Sequence, residues 1–198
     1  NFVVSDSGVF YHNNGTVVFD DANNRNLNII SRDTLFNMVL SPLSNNALLD
    51  IAGGDTILVL NKLLLNEGRL RGGPAEILDS LELSPTYDAG VNQLWLVGSG
   101  NSHISVNGSV GSHPYFISKA SAVDSVFVQN DLGASINWGD NDLIQIANGV
   151  LVLRESADLD FSEIEILSGG TLLASSDETS FQGNWDNQGG NFIANGGS

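Results

Sequence analysis

The hydrophobic residues of this chain occur in short segments, for example residues 15–19, 26–30, 48–51 and 57–60. Segments of about four to six residues are typical of β-strands, whereas helices in globular proteins usually need ten residues or more. Apolar and polar residues alternate strictly over residues 78–83, 103–107 and 162–167. This alternation predicts strands with one face in a core and the other in water.

Clusters rich in glycine and asparagine separate the apolar segments. They include Gly53-Gly54-Asp55, Gly72-Gly73-Pro74, Asn148-Gly149 and Ser168-Gly169-Gly170. Such residues accept positive φ or cap turns, so they predict a change of chain direction about every eight to twelve residues.

Residues 62–70 also have features of a helix, because Leu63-Leu64-Leu65 is followed by Glu67 and Arg69. The flanking Asn61, Asn66 and Gly68 argue against it. We predict instead a strand with Leu63 and Leu65 on one face, then a turn and a second short strand at 69–71.

Short strands separated by turns fit either a β-sandwich or barrel, or a parallel β-solenoid. Residues 47–60 and 142–153 share a unit of strand, Gly or Asn corner and strand, with one insertion. Recurrence of this unit favours a solenoid with roughly 20 to 25 residues per coil. We therefore predict an all-β fold with a single β-solenoid segment over residues 1–198, and a β-sandwich as the structural alternative.

The two ends of the sequence are similar to each other, which indicates a longer repeat. Residues 190–198 align without a gap on residues 8–16, an offset of 182 residues, and Asn184-Trp185 resembles Asn1-Phe2 if one residue is gapped. We predict a repeat unit over 1–182, with 183–198 opening the next repeat. The predicted repeat and assembly residues are Phe2, Phe10, Asn13, Gly15, Trp185, Phe192, Asn195 and Gly197.

The same phrases resemble the β-strand repeat regions of large bacterial surface proteins, the filamentous-haemagglutinin and autotransporter-like adhesins. Those arrays contain a phrase of the type Gly-Asn-Trp-x-Asn, matched here at 183–187, followed by Phe, Asn and Gly positions matched at Phe10, Asn13 and Gly15. The resemblance covers about half the chain. It implies a right-handed parallel β-helix and a role at the bacterial surface, and it identifies no receptor.

The charge balance of the chain argues against some classes of binding partner. The chain has 7 Lys and Arg against 23 Asp and Glu, a net charge of -16, although only 15% of its residues are charged. Such a charge repels phosphate backbones and anionic lipids, which argues against nucleic-acid binding. No apolar run approaches the roughly 18 to 20 residues of a membrane span, so we predict no membrane insertion.

The absence of cysteine excludes disulfides, thiolate zinc sites and a cysteine nucleophile. An acidic, thiol-free and asparagine-rich chain fits the exterior of a bacterium. We therefore predict an extracellular or cell-surface location.

Carboxylate pairs are the strongest candidates for catalysis: Glu163 with Glu165, and the aspartate pairs at 158 and 160 and at 140 and 142. Each pair lies on one face of a predicted strand, as acid and base groups would. Outward strand positions are polar in any case, and the arginines are scattered. No nucleophile elbow, Walker loop or dinucleotide fingerprint occurs. We predict no enzyme and no catalytic or cofactor-binding residue.

Two acidic turns are weak candidates for a structural calcium ion, one with Asp20 and Asp21 and one with Asp140 and Asp142. Neither completes a known calcium motif. The three histidines are isolated in sequence, without the spacing of a zinc site. Aromatic residues such as Trp95 could stack on sugar rings, although stacking between coils inside the solenoid is the commoner use.

These observations predict a non-catalytic structural repeat of an extracellular bacterial adhesin or filament. Its coils would stack end to end with copies of itself or with adjacent repeats, because the end of a sheet presents an unpaired edge. A surface glycan or protein receptor is a further expected partner. The alternative function is a carbohydrate-active β-helix enzyme or a glycan-binding module.

Overall fold

The computed structural model describes residues 2–4, 10–29, 32–44, 46–88, 90–107, 113–131, 136–155 and 157–196. These residues form strands and turns, with no helix among them. The strands are β1 (Phe2–Val4), β2 (Thr16–Phe19), β3 (Arg25–Ile29), β4 (Arg32–Leu40), β5 (Leu48–Ile51), β6 (Thr56–Leu65), β7 (Arg69–Gly72), β8 (Ala75–Ile77), β9 (Ser80–Leu83), β10 (Leu94–Gly98), β11 (Ser102–Val106), β12 (Tyr115–Lys119), β13 (Ser125–Gln129), β14 (Ile136–Leu153), β15 (Ala157–Leu173), β16 (Thr179–Gln188) and β17 (Asn191–Ile193).

The strands stack into three long faces, and every strand pair described is parallel. Face 1 contains β1, β3, β5 and β7 in that order. Nearer the other end of the solenoid, the first parts of β14, β15 and β16 pair with one another in a separate stretch. Face 2 contains the first halves of β4 and β6, then β8, β10, β12, the middle of β14 and β15, and the second half of β16. Face 3 contains β2, the second halves of β4 and β6, then β9, β11, β13, the ends of β14 and β15, and β17. This confirms the parallel β-solenoid and shows that the β-sandwich alternative was wrong.

One column of paired residues runs through face 3 from the first coil to the last. Successive members lie 18 to 25 residues apart in the sequence, in line with the predicted length of a coil. We call it the Thr16 column, and its members are Thr16, Asn37, Lys62, Ser80, His103, Phe127, Val152, Leu173 and Ile193.

The apolar residues of the alternating segments form the core. Leu63 and Leu65 in β6 are fully buried, as are Leu81 and Leu83 in the next strand of the same face. Residues 66–68 form a turn, and β7 begins at Arg69. The prediction of two strands rather than a helix over 62–70 is therefore confirmed.

Asparagine side chains link neighbouring coils near the corners. Asn61 Nδ2 donates to Asn37 Oδ1 at 2.7 Å, and Asn37 Nδ2 donates to Thr16 Oγ1 at 3.2 Å. Asn66 Nδ2 likewise donates to Ser41 Oγ at 3.0 Å. These bonds run along the solenoid axis, so they add to the backbone pairing between coils.

Candidate functional site

The last coil exposes residues that occupy core positions. Trp185 pairs with Ile164 on face 2, and Phe192 pairs with Leu172 on face 3. Ile164 and Leu172 are buried, but Trp185 is 40% exposed and Phe192 is 42% exposed. The difference arises because no described strand lies beyond β16 and β17 to cover these inward positions.

Three aromatic rings form a cluster on this surface. The centroids of Phe181 and Trp185 are 5.0 Å apart, those of Trp185 and Phe192 are 5.1 Å apart, and both contacts are edge-to-face. Phe181 and Phe192 also line a shallow cleft of about 160 Å³. We call Phe181, Trp185, Phe192 and the adjacent exposed Ile193 the terminal surface.

The opposite end of the solenoid also carries apolar residues. Phe2 in β1 is in register with the buried Leu27. Phe10, Val17 and Phe19 are partly buried and pack against the core. The predicted assembly residues are thus divided between the two ends, with Phe2 and Phe10 at one and Trp185 and Phe192 at the other.

The repeated phrase has the same turn conformation at both of its occurrences. Asn13 and Asn14 have φ of 44° and 57°, and Asn195 and Gly196 have φ of 49° and 79°. Positive φ at two successive residues is the signature of a type I′ turn. The first turn precedes a strand of face 3 and the second follows one. Gly197 lies outside the described residues, and the repeat unit over 1–182 stays a prediction.

The first calcium candidate forms an ordinary turn in the structure. Asp21 Oδ1 accepts bonds from the backbone N and from Nδ2 of Asn23 at 2.8 and 2.9 Å, and the carboxylate also pairs with Arg25. The bonds from Asn23 and Arg25 lower the pKa of Asp21 to about 2. Asp20 beside it is exposed.

The second calcium candidate lies in β14, but the side chains of Asp140 and Asp142 are outside the described part of the structure. Within the described residues, no three His, Asp or Glu side chains converge as a metal site would require. The two acidic turns thus stay weak candidates for a structural calcium ion.

The carboxylate pair on β15 lies on the outside of face 2. Glu163 and Glu165 alternate with the buried Ile164 and Ile166, as the sequence predicts. Gln145 Nε2 on the adjacent coil donates to Glu165 Oε2 at 2.6 Å. This glutamate therefore bonds between coils. The side chains of the aspartates at 158 and 160 lie outside the described residues.

Aromatic rings stack between coils on the outer surface as well. Trp95 and Phe116 are paired on face 2, with ring centroids 4.3 Å apart and an angle of 10° between their planes. One face of each ring is therefore covered by the other ring. On face 3, His103 stacks on Phe127 at 5.5 Å, and the Arg154 guanidinium lies 4.3 Å from the centre of the Phe127 ring.

A buried polar group in the middle of the solenoid was not predicted from the sequence. His113 Nδ1 lies 2.9 Å from the backbone oxygen of Asn92, which can only accept, so Nδ1 carries the proton. Nε2 then accepts the Tyr87 hydroxyl at 2.7 Å. Burial lowers the pKa of His113 to about 4, despite the bond to Asn92, and burial also raises the pKa of Tyr87. An isolated histidine gives no sign of this role.

A second buried polar cluster is centred on Lys119. Its Nζ donates to the backbone oxygen of Val97 at 2.8 Å and to Ser102 Oγ at 2.7 Å, and Ser102 Oγ donates to the oxygen of Leu78 at 2.6 Å. Burial lowers the pKa of Lys119. The alternation over 115–119 contained the signal, because Lys119 falls on the same inward side as Tyr115.

A cleft of about 430 Å³ lies on face 1 beside the end of the sheet at β7. Arg69 and Arg71 line it together with Asn24, Leu48 and the exposed Val91. Arg71 pairs with Asp50 at 3.0 Å. In the described part of the chain, the guanidinium of Arg69 has no ion-pair partner.

Comparison with known proteins found no matching family model, no matching curated protein and no matching solved structure. Among the described residues, no helix has the length and apolar character needed to cross a membrane. The parallel β-solenoid is consistent with a β-helix repeat.

Proposed function

We propose that this chain is a non-catalytic structural segment of an extracellular bacterial adhesin or filament, in which coils continue from end to end. The observation that carries the proposal is the terminal surface, where Trp185 and Phe192 occupy core positions and are exposed. Complete burial of a side chain of this size contributes about 1.5–3 kcal/mol. Because Trp185 and Phe192 are already more than half buried, a further coil on this surface would recover the part of that free energy that belongs to their exposed 40% and 42%.

Backbone pairing supports the same direction of growth. Strand β17 is described with one partner, β15, and strand β2 with one partner, β4. Their other edges carry N–H and C=O groups that a further parallel strand could pair. The charge of -16 would meanwhile keep the sides of neighbouring solenoids apart. The acidic, thiol-free and asparagine-rich composition fits the exterior of a bacterium.

The first test is electron microscopy of the natively purified protein, together with its mass under denaturing conditions. We expect rods with a regular axial repeat. A denatured mass near 21.0 kDa would establish noncovalent stacking, whereas a much larger mass would establish a covalent array of repeats. Discrete monomers at all concentrations would contradict the proposed function.

Replacing Trp185 by aspartate should suppress the rods formed by the 198-residue chain, because a charge would then occupy the inward position above Ile164. We expect the concentration needed for assembly to rise at least tenfold by light scattering. The matched control is Leu43→Asp, which changes an exposed corner residue. Equal inhibition by both variants, with circular dichroism showing folded protein, would argue against the terminal surface.

Glycan binding is a second candidate function, favoured by the cleft on face 1. Arg69 and Arg71 present two guanidinium groups, and Asn24, Leu48 and Val91 add an amide and apolar surface. Arginine forks bind carboxylates through paired hydrogen bonds. The cleft volume also falls within the range of about 300–1,000 Å³ that is usual for small-molecule sites.

The probe for this second function is trigalacturonate, an acidic oligosaccharide, measured by calorimetry with neutral galactotriose as the comparison. If the cleft binds glycans, Arg69→Gln should weaken trigalacturonate binding at least fivefold. Arg154→Gln, which changes an exposed arginine on another face, should leave it unchanged. No saturable binding at millimolar concentrations would exclude this site for acidic glycans.

A further inference from the structure

We infer a specific register for end-to-end stacking: β17 of one copy binds β2 of a second copy in parallel, with Ile193 opposite Thr16. This inference rests on the proposed function and adds the partner strand, the polarity and the residue pairs. It uses the two exposed ends of face 3, each of which is described with one neighbouring strand.

The register follows from the Thr16 column. Thr16 and Ile193 are the two ends of one series of paired residues that runs through face 3 without interruption. Neighbouring strands in a sheet lie about 4.8 Å apart. A second copy placed one such step beyond Ile193, with the column kept straight, brings its Thr16 opposite Ile193.

The inward and outward positions agree in this register. Thr16 and Ile193 both point away from the core, because they alternate with Val17 and Phe192 beside the buried Met38 and Leu172. A slip of one residue would turn every outward side chain of β2 toward the core, and the inward apolar side chains of the strand would then face water.

The side-chain sizes across the proposed junction are complementary. Phe192 would lie opposite Gly15, which has no side chain, so its ring can spread over the backbone of the next copy. Ala194 would lie opposite Val17, which pairs a small residue with a larger one. A slip of two residues preserves the inward and outward positions but places Phe192 opposite Val17 and bends the column.

The parallel strands and the distribution of charge both favour head-to-tail stacking of the copies. All strand pairs within the solenoid are parallel, and only head-to-tail stacking continues that pattern. Residues 155–198 contain eight Asp and Glu and no Lys or Arg, whereas residues 1–71 contain seven Asp and Glu and five Lys and Arg, so the first part of the chain is much less negative. Joining two acidic ends is therefore the least favourable arrangement, most clearly at low ionic strength.

Disulfide trapping tests the register, and the chain contains no cysteine of its own. We would introduce Thr16→Cys and Ile193→Cys into the same chain, oxidise the assembled protein and run it under denaturing, non-reducing conditions. Paired residues about 4.8 Å apart fall within the Cα separation that a disulfide spans, about 4.4–6.8 Å. We expect a ladder of covalent multimers in steps of the 21.0 kDa chain.

The matched control is Val18→Cys with Ile193→Cys, because Val18 is exposed on the same face two residues further along β2. In the inferred register its Cα would be about 8 Å from that of residue 193, beyond disulfide reach. We expect at least tenfold less cross-linked product than with Thr16→Cys.

Several results would overturn the inference in different ways. An equal or stronger ladder from the Val18 variant would show a slipped register. Cross-linking of Ile193→Cys alone into dimers would show tail-to-tail association. Rods without a ladder from the Thr16 variant would exclude this register and leave the proposed function intact, whereas the absence of rods would contradict both.

Discussion

Replacing Gly170 by alanine is expected to lower the free energy of unfolding by about 3 kcal/mol or more. Gly170 lies at a buried corner of β15, paired with Gly149 of the preceding coil. A Cβ at this position would lie 2.1 Å from the backbone oxygen of Ile146 and 2.9 Å from its carbonyl carbon. Relief of this overlap requires the two coils to separate, which breaks backbone pairing between β14 and β15. Urea denaturation of both proteins measures the difference.

Gly53→Ala is the matched control for this prediction. Gly53 is an exposed corner glycine, and a Cβ there would meet no atom within 4 Å. Its φ is not among the positive values, so we expect no loss of stability and a gain of up to about 1 kcal/mol from the less flexible unfolded chain. Similar stability of the two variants would show that the coil corner at Gly170 accommodates a Cβ without a loss in the free energy of unfolding.

Acidification should destabilise the solenoid through His113 by about 3 kcal/mol between pH 6.5 and pH 4. The folded-state pKa of about 4 lies below the ordinary value of 6.5, so the unfolded chain binds the proton more readily. The stabilisation is therefore complete above pH 6.5 and is lost as the pH falls toward 4. Protonation would give Nε2 a hydrogen, and Tyr87 would have to reverse its hydrogen bond around a buried charge.

The measurement is urea denaturation of the wild type and His113→Gln at pH 7 and pH 4.5. Carboxylates titrate in both proteins, so the informative quantity is the difference between them at each pH. We expect the advantage of the wild type to shrink by about 2 kcal/mol at the lower pH. An advantage independent of pH would mean that His113 does not titrate with folding.

Much of the candidate site could be predicted from the repeated phrase. Two distant segments share aromatic, asparagine and glycine positions, which points to Phe10, Trp185 and Phe192, and the structure places these residues at the two ends of the solenoid. The shared turn geometry at Asn13 and Asn195 could be expected as well, since asparagine tolerates positive φ. Sequence comparison within the chain could not show that Trp185 and Phe192 point inward, because that depends on their partners Ile164 and Leu172.

The buried polar groups show a different limit. Lys119 continues the inward series of its strand, so its burial could be inferred from alternation alone. The hydrogen-bond acceptors of Lys119 could not be inferred, because Val97 and Ser102 belong to the preceding coil and become its neighbours only when the coils stack. His113 and Tyr87 likewise meet across 26 residues of chain.

The strands and turns could be predicted from the sequence, because alternation and glycine corners are local properties, and the recurring unit favoured parallel stacking over a β-sandwich. The tertiary structure alone decided which face each strand occupies. Residues 47–60 and 142–153 share one pattern, yet the first lies on faces 1 and 2 and the second on faces 2 and 3. Every face demands the same short alternating strand followed by a corner, so the pattern cannot distinguish them. Only the pairing of each coil with its neighbours assigns the face and, with it, the residues that meet at the ends.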